Sequence, residues 1–223
     1  MATKIVLSPK LPGPLVEIAR AIMPAGYELR VAEQGTPEFL DAVEDAEYFV
    51  GFGGTGRAVA RRALGFGMRV LAVDIEDVAP EPGVEAIWKP DRLDELLGLS
   101  DVVVIALPLT KATHHLFTRD LFRRMRPSAT LINVTRGAIV YGDDLLVALE
   151  KGWLWSAGLD VTDPEPLPPG HPLWTHPRVI VTPHTAGGSP RRAGRVIATF
   201  CENLRRLRAG QPLLALIDKR KGY

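Results

Sequence analysis

An arginine, a carboxylate and a histidine stand in three separate segments of this sequence, each just behind an apolar β-prone run. Arg136 lies in Asn133-Val134-Thr135-Arg136-Gly137, Glu165 follows Leu159-Asp160-Val161, and His184 lies in Thr182-Pro183-His184-Thr185-Ala186-Gly187. If the three runs are parallel strands of one sheet, all three tips reach the same edge. Together they suit the interconversion of a 2-keto and a 2-hydroxy acid. A guanidinium grips a carboxylate with two parallel hydrogen bonds and polarises the adjoining carbonyl. An imidazole exchanges a proton with the carbonyl oxygen. A carboxylate bonded to its far ring nitrogen holds the ring in orientation.

Such chemistry needs a hydride carrier, and an earlier stretch supplies its cradle. Gly51-Phe52-Gly53-Gly54-Thr55-Gly56 follows the apolar Tyr48-Phe49-Val50 and precedes an amphipathic segment, Arg57 to Met68. In a strand–turn–helix unit, Gly51 permits the tight turn, Gly53 lets backbone approach a pyrophosphate, and Gly56 lets the helix pack on the strand. The free N–H groups and positive end of the helix then face the phosphates. Arg69 to Asp74 reads as the next strand, with Asp74 placed to accept the ribose hydroxyls and to repel a 2′-phosphate. The expected cofactor is therefore NAD.

The elements that must position these groups alternate. Strands are expected at Lys4–Leu7, Glu28–Ala32, Glu47–Phe52, Val102–Leu107, Ala129–Val134, Ser156–Val161 and Val179–Thr182. Helices are expected at Pro14–Met23, Thr36–Asp45, Leu93–Leu97, Thr118–Met125, Gly142–Lys151 and Pro190–Arg208. The pattern predicts an α/β fold, a doubly wound parallel sheet of Rossmann type. The Val102–Leu107 run reads as a strand buried on both faces. The last helix carries an apolar stripe of Val196, Phe200, Leu204 and Leu207, with Gly210 as its stop. Residues 1–46 read as a βαβα piece, 47–188 as the dinucleotide-binding domain, and 189–223 as a helix and tail packing back on the first piece.

Composition narrows the function classes. The 223 residues are 46% hydrophobic and 24% charged, with a formal net charge of +1. That balance argues against an electrostatic role on nucleic acid or on a membrane surface. No apolar run approaches the roughly 20 residues of a membrane span. The one cysteine, Cys201, fits a cytoplasmic location. It reads as a small buried hydrophobe. His114, His115, His171 and His176 read as structural, Trp153, Trp155 and Trp174 as packing residues, and no metal site is expected.

The glycine turn, the Asn133–Gly137 loop, Leu159–Pro166 and Pro183-His184 with Gly187 together resemble the D-isomer-specific 2-hydroxyacid dehydrogenase family. That family includes phosphoglycerate dehydrogenases and glyoxylate and hydroxypyruvate reductases. The resemblance implies Arg136 as substrate clamp, Glu165 as the acid paired with histidine, and His184 as the acid/base. It implies cofactor contacts from Gly51, Gly53, Gly54, Thr55, Gly56, Asp74, Leu107, Pro108, Thr113, Val134, Thr135, Asp160 and Gly187. Family members carry a complete flavodoxin-like substrate domain and a dimer-forming helix before the glycine turn; here only a βαβα start precedes it. The expectation is thus an NAD-dependent oxidoreductase acting on a small 2-keto or 2-hydroxy acid. The alternative is an NAD-binding module with little catalysis, the family's homodimer being left without its helix.

Overall fold

The computed structural model of the chain describes residues 3–7, 27–31, 55–79, 81–216 and 218. The expected helices at Pro14–Met23 and Thr36–Asp45, the strand at Glu47–Phe52 and the glycines Gly51, Gly53 and Gly54 lie outside the described residues. The chain divides into two compact units, one of residues 54–187 with 219–223, the other of 1–53 with 188–218.

The first of these units holds two parallel sheets. β3 (Leu71–Val73) pairs with β4 (Ala86–Trp88) in the register Leu71↔Ala86. β5 (Val102–Ile105), β6 (Thr130–Asn133), β7 (Ser156–Leu159) and β8 (Val179–Val181) lie side by side in chain order, every pair parallel. α2 (Leu93–Leu99) leads from β4 into β5; parallel neighbours require crossovers, and α3 (Arg119–Phe122) lies in the one from β5 to β6 and α4 (Gly142–Lys151) in the one from β6 to β7. α1 (Thr55–Gly65) precedes β3. The α/β parallel architecture expected from the alternation is present.

One core serves both sheets. Leu97, Ile105, Phe122, Leu131, Leu145 and Leu149 are fully enclosed, and Leu71, Val73 and Trp88 pack against the same cluster. β5 is less enclosed than its unbroken apolar run suggests: Val103 and Ile105 are buried while Val102 is 40% exposed. β4 was not expected at all. Ala86-Ile87-Trp88 is too short to show a periodicity, and its extended form is fixed by pairing with β3.

α4 has the expected bounds for visible reasons. Asp143 and Asp144 complement the positive helix start and Lys151 its end, and Gly152, at φ +68°, closes the helix in the left-handed conformation. Asp144 also accepts the Arg119 backbone N–H at 3.0 Å and its Nε–H at 2.6 Å, which ties α3 to α4. α1 is tied down by a buried acid: Glu81 accepts from Arg57 Nη1 at 2.8 Å and from Arg61 Nε at 2.6 Å. Hydrogen bonds from Arg61 and then Arg57 hold the Glu81 carboxyl below the usual carboxylate range.

In the second unit β1 (Thr3–Leu7) pairs parallel with β2 (Tyr27–Val31), Thr3 opposite Tyr27. α5 (Arg192–Arg208) buries Ile197, Phe200, Cys201 and Leu204. Phe200 and Leu204 belong to the expected stripe, but Ile197 and Cys201 take the places of Val196 and Leu207, so the buried face is rotated by roughly 50°, and Leu207 is 41% exposed. The observed set has the spacing i, i+3, i+4, i+7 of a core-facing stripe. Gly210, at φ +64°, follows the helix as expected. The tail then folds back on α5: Asn203 Nδ2 donates to the Leu214 carbonyl at 2.9 Å, and Leu214 N–H donates to Asn203 Oδ1 at 2.7 Å. Among the described residues no helix is long and apolar enough to cross a membrane.

Candidate functional site

The C-terminal ends of β5, β6, β7 and β8 form one edge, because the four strands are parallel neighbours. At the tip of β6, the fully buried Asn133 organises the turn. Its Nδ2 donates to the Arg136 carbonyl at 2.9 Å, and its Oδ1 accepts the Thr135 N–H at 3.2 Å. Arg136 emerges exposed from this turn with its Nη1 on the Thr135 carbonyl at 2.7 Å. Among the described residues it pairs with no carboxylate.

Gly137, the next residue, meets the neighbouring loop with no room to spare. A Cβ built there would lie 1.7 Å from the Thr162 carbonyl oxygen. Only a residue without a side chain permits this approach. It brings the β6 loop against the β7 loop, and Arg136 thereby into the neighbourhood of the segment that carries Glu165.

Asp160, directly after β7, is 6% exposed and spends its carboxylate on the β8 loop. Oδ1 accepts the Thr182 hydroxyl at 2.6 Å and the Thr185 N–H at 2.9 Å, and Oδ2 accepts the Ala186 N–H at 2.8 Å. Its backbone carbonyl takes the His184 N–H at 2.9 Å. Burial raises the Asp160 pKa, but the Thr182 hydroxyl, the Ala186 and Thr185 amides and the His184 charge outweigh burial, and the net direction is down. These bonds hold His184 at φ +52°, a left-handed conformation that a non-glycine residue adopts only when its surroundings impose it.

So placed, His184 directs Nδ1 to Glu165 Oε1 at 2.5 Å. A carboxylate only accepts, so Nδ1 carries the proton and Nε2 is the ring atom left for other work. The histidine and the acid, separated by β8 in the chain, are thus brought together. The arginine follows β6, one strand from the acid's β7 and two from the β8 loop of the histidine, without a bond to either.

The residues that would hold a dinucleotide occupy the corresponding ends of the other elements. Thr55 and Gly56 open α1, whose first turn contains no acidic side chain. A Cβ at Gly56 would sit 3.6 Å from Ala106 Cβ, so the helix start packs close to the segment after β5. Asp74 follows β3; its N–H donates to the Trp88 carbonyl at 2.9 Å and its Oδ1 accepts the Glu76 N–H at 2.8 Å. In the loop after β5, Thr113 donates its hydroxyl to the Pro108 carbonyl at 2.7 Å and accepts the Thr110 N–H at 2.8 Å. Leu107 packs against the core, Val134 is half-buried, and Gly187 is exposed. An acid-free helix start and a carboxylate at a strand end suit a pyrophosphate and a ribose respectively.

Three features escaped the sequence reading. The bracing of the β8 loop by Asp160 was signalled only by an acid at a strand end. The contact of Gly137 with Thr162 was signalled by a glycine directly after the arginine. The anchoring of α1 by Glu81 had no local signal. The expected packing role of the tryptophans divides: Trp153 joins the core, while Trp155 and Trp174 are largely exposed. His171 and His176 accept backbone N–H groups of Leu173 and Arg178, each at 3.2 Å.

Residues 20–186 match the sequence family described as D-isomer specific 2-hydroxyacid dehydrogenase, NAD binding domain. The chain is 42% identical over 165 residues to a glyoxylate reductase of Korarchaeum cryptofilum, covering 73% of this chain and 48% of that protein. It is 37% identical over 164 residues to the human glyoxylate reductase/hydroxypyruvate reductase, covering 74% of this chain and 50% of that one. The chain thus spans about half the length of these curated relatives. Among solved structures it resembles a D-isomer specific 2-hydroxyacid dehydrogenase from Xanthobacter autotrophicus Py2 in complex with NADPH and MES. The TM-score is 0.71 at 33% identity, over 84% of this chain and 82% of that one.

Proposed function

Since the chain belongs to the D-isomer-specific 2-hydroxyacid dehydrogenase family, we propose that it reduces a small 2-keto acid, of the glyoxylate or hydroxypyruvate class, to the 2-hydroxy acid with NADH. The observation that carries the reading is the bond from His184 Nδ1 to Glu165 Oε1, at the sheet edge where Arg136 stands without an acidic partner among the described residues.

A bound nicotinamide would supply the hydride. The chain's own residues do the rest. Arg136 takes the substrate carboxylate in a two-pronged grip, which orients the keto carbon. Glu165 fixes the ring so that, as the imidazolium with both nitrogens protonated, its Nε2 delivers a proton to the keto oxygen, and in the reverse direction the neutral ring's Nε2 withdraws it from the hydroxyl. Asp160 acts through others: it positions the β8 loop and so the histidine. Gly51, Gly53, Gly54, Thr55 and Gly56 serve the pyrophosphate. Leu107, Pro108, Thr113, Val134, Thr135 and Gly187 line the cofactor. The Asp74 carboxylate at the ribose end favours NADH over NADPH, because a 2′-phosphate there would meet a like charge.

The test is oxidation of NADH and of NADPH by glyoxylate, hydroxypyruvate and pyruvate, with binding of each nucleotide measured separately. The reading expects turnover with NADH that disappears in His184→Ala and Arg136→Ala. Tight NADH binding with no turnover on any of the three acids would favour a nucleotide-binding module instead.

A further inference from the structure

We propose that His114, His115 and Asp163 form a site for a divalent transition-metal ion of the zinc type, bracing the loop after β5 against the loop after β7. The site is separate from the His184–Glu165 pair and does not depend on the reading above.

The first observation is the backbone. Lys111 to His115 form a turn, and at its end His115 enters the left-handed region, φ +49°. That turn swings both imidazoles to one side, with ring centroids 3.9 Å apart and planes tilted by 38°. It is held by the His115 N–H on the Ala138 carbonyl at 2.7 Å and by the His114 N–H on the Thr110 carbonyl at 2.9 Å.

The second observation is the partner. Asp163, from the loop after β7, sets its Oδ2 2.9 Å from His115 Nε2. Each of the three residues offers one ligand atom, and the three atoms lie within 4.8 Å of one another. Zinc bonds of about 2.0–2.2 Å to nitrogen and oxygen place tetrahedral ligands about 3.4 Å apart. The His115–Asp163 pair must therefore open by about half an ångström, and the widest pair close by about 1.4 Å at most. Rotations of these three side chains, none of which is buried, suffice. Two imidazoles and a carboxylate are the donor set of zinc sites that leave a position for water.

The third observation is access. Asp163 also lines a polar cleft of about 240 Å³, together with Tyr141, Asp143 and His171. Water completing the coordination would enter there. A hydrogen bond between His115 and Asp163 alone would account for one histidine. It leaves unexplained why the backbone turns a second ring onto the same spot.

Isothermal titration of the full, untagged, chelator-treated chain with zinc chloride tests the site. The expected result is saturable binding of one ion per chain. His114→Ala, at an exposed position, and Asp163→Asn should each weaken it by about tenfold or more. His176→Ala and His184→Ala should match the parent. Zinc should also raise the melting temperature of the parent and leave that of His114→Ala unmoved. The proposal is overturned by absence of saturable binding, by binding that survives both substitutions unchanged, or by binding lost in His184→Ala and kept in His114→Ala.

Discussion

The His184 amide donates to the Asp160 carbonyl at 2.9 Å, and the Asp160 carboxylate holds the amides of the two residues that follow. One residue at the end of β7 therefore shapes the whole turn after β8. Four bonds converge on it, and three of them end on a buried negative charge.

Asp160→Asn keeps the shape of that residue and removes the charge. An amide group cannot accept with both ends, so at least one of the Thr182, Thr185 and Ala186 donors faces an N–H₂. Hydrogen bonds to charged groups contribute about 1.5–3 kcal/mol each. The variant should fold with a lowered urea midpoint and lose activity mainly in kcat, while binding of NADH changes little. A variant with parental kcat would remove Asp160 from its positioning role.

The same carboxyl predicts an acid limb. Its native pKa lies below that of the unfolded chain, about 3.9 for aspartate. The stabilisation is thus present above that value and is lost as pH falls towards the lowered native pKa. Urea unfolding compared at about pH 6 and about pH 3 should show a stability loss in the parent that is smaller in Asp160→Asn.

Gly137→Ala drives a Cβ into the Thr162 carbonyl, 1.7 Å away before relaxation. Because the neighbour is backbone, the cost should reach or pass the upper end of the usual overpacking range, about 3 kcal/mol, and the β6 and β7 loops should separate. Thermal melting reads the loss. Gly152→Ala, where no atom lies within 4 Å of the added carbon, is the comparison and should lose only the benefit of a glycine at positive φ.

Arg136→Lys retains the charge and removes the two-pronged geometry. The KM for the keto acid should rise, and the affinity for NADH should stay at its parental value. His184→Gln should lower kcat by about 10²–10⁴-fold, the usual range for loss of a general acid.

Cys201 is 1% exposed, and burial pushes its thiol pKa up. The native chain should resist a thiol-reactive dye and take up one equivalent on denaturation. Rapid labelling without denaturant would contradict the enclosed position in α5.

What the sequence made legible follows from where the information lies. α4 could be bounded to the residue because its acids, its lysine and Gly152 are all local signals. β6 and β7 were visible as apolar runs, and the histidine and acid as residues behind strands. β4 was not visible, since three residues take their form from Leu71–Val73. The face of α5 was right at Phe200 and Leu204 and missed Ile197 and Cys201, because Val196 and Ile197 are equally apolar and only the packed neighbours choose between them. Glu81 could not be foreseen as the anchor of α1, because its partners lie more than a helix away in the chain.

The adjacency of β6, β7 and β8 has a metric consequence. Parallel neighbours are spaced by about 4.8 Å, so the roots of the Arg136 and His184 turns are separated by about two such intervals, near 10 Å. Backbone hydrogen bonding sets that interval, and no side-chain exchange along the strands alters it. A group held between the two turns must be reached by side chains that together span that gap. The sheet is a ruler, and loop replacement can change what is measured without changing the scale.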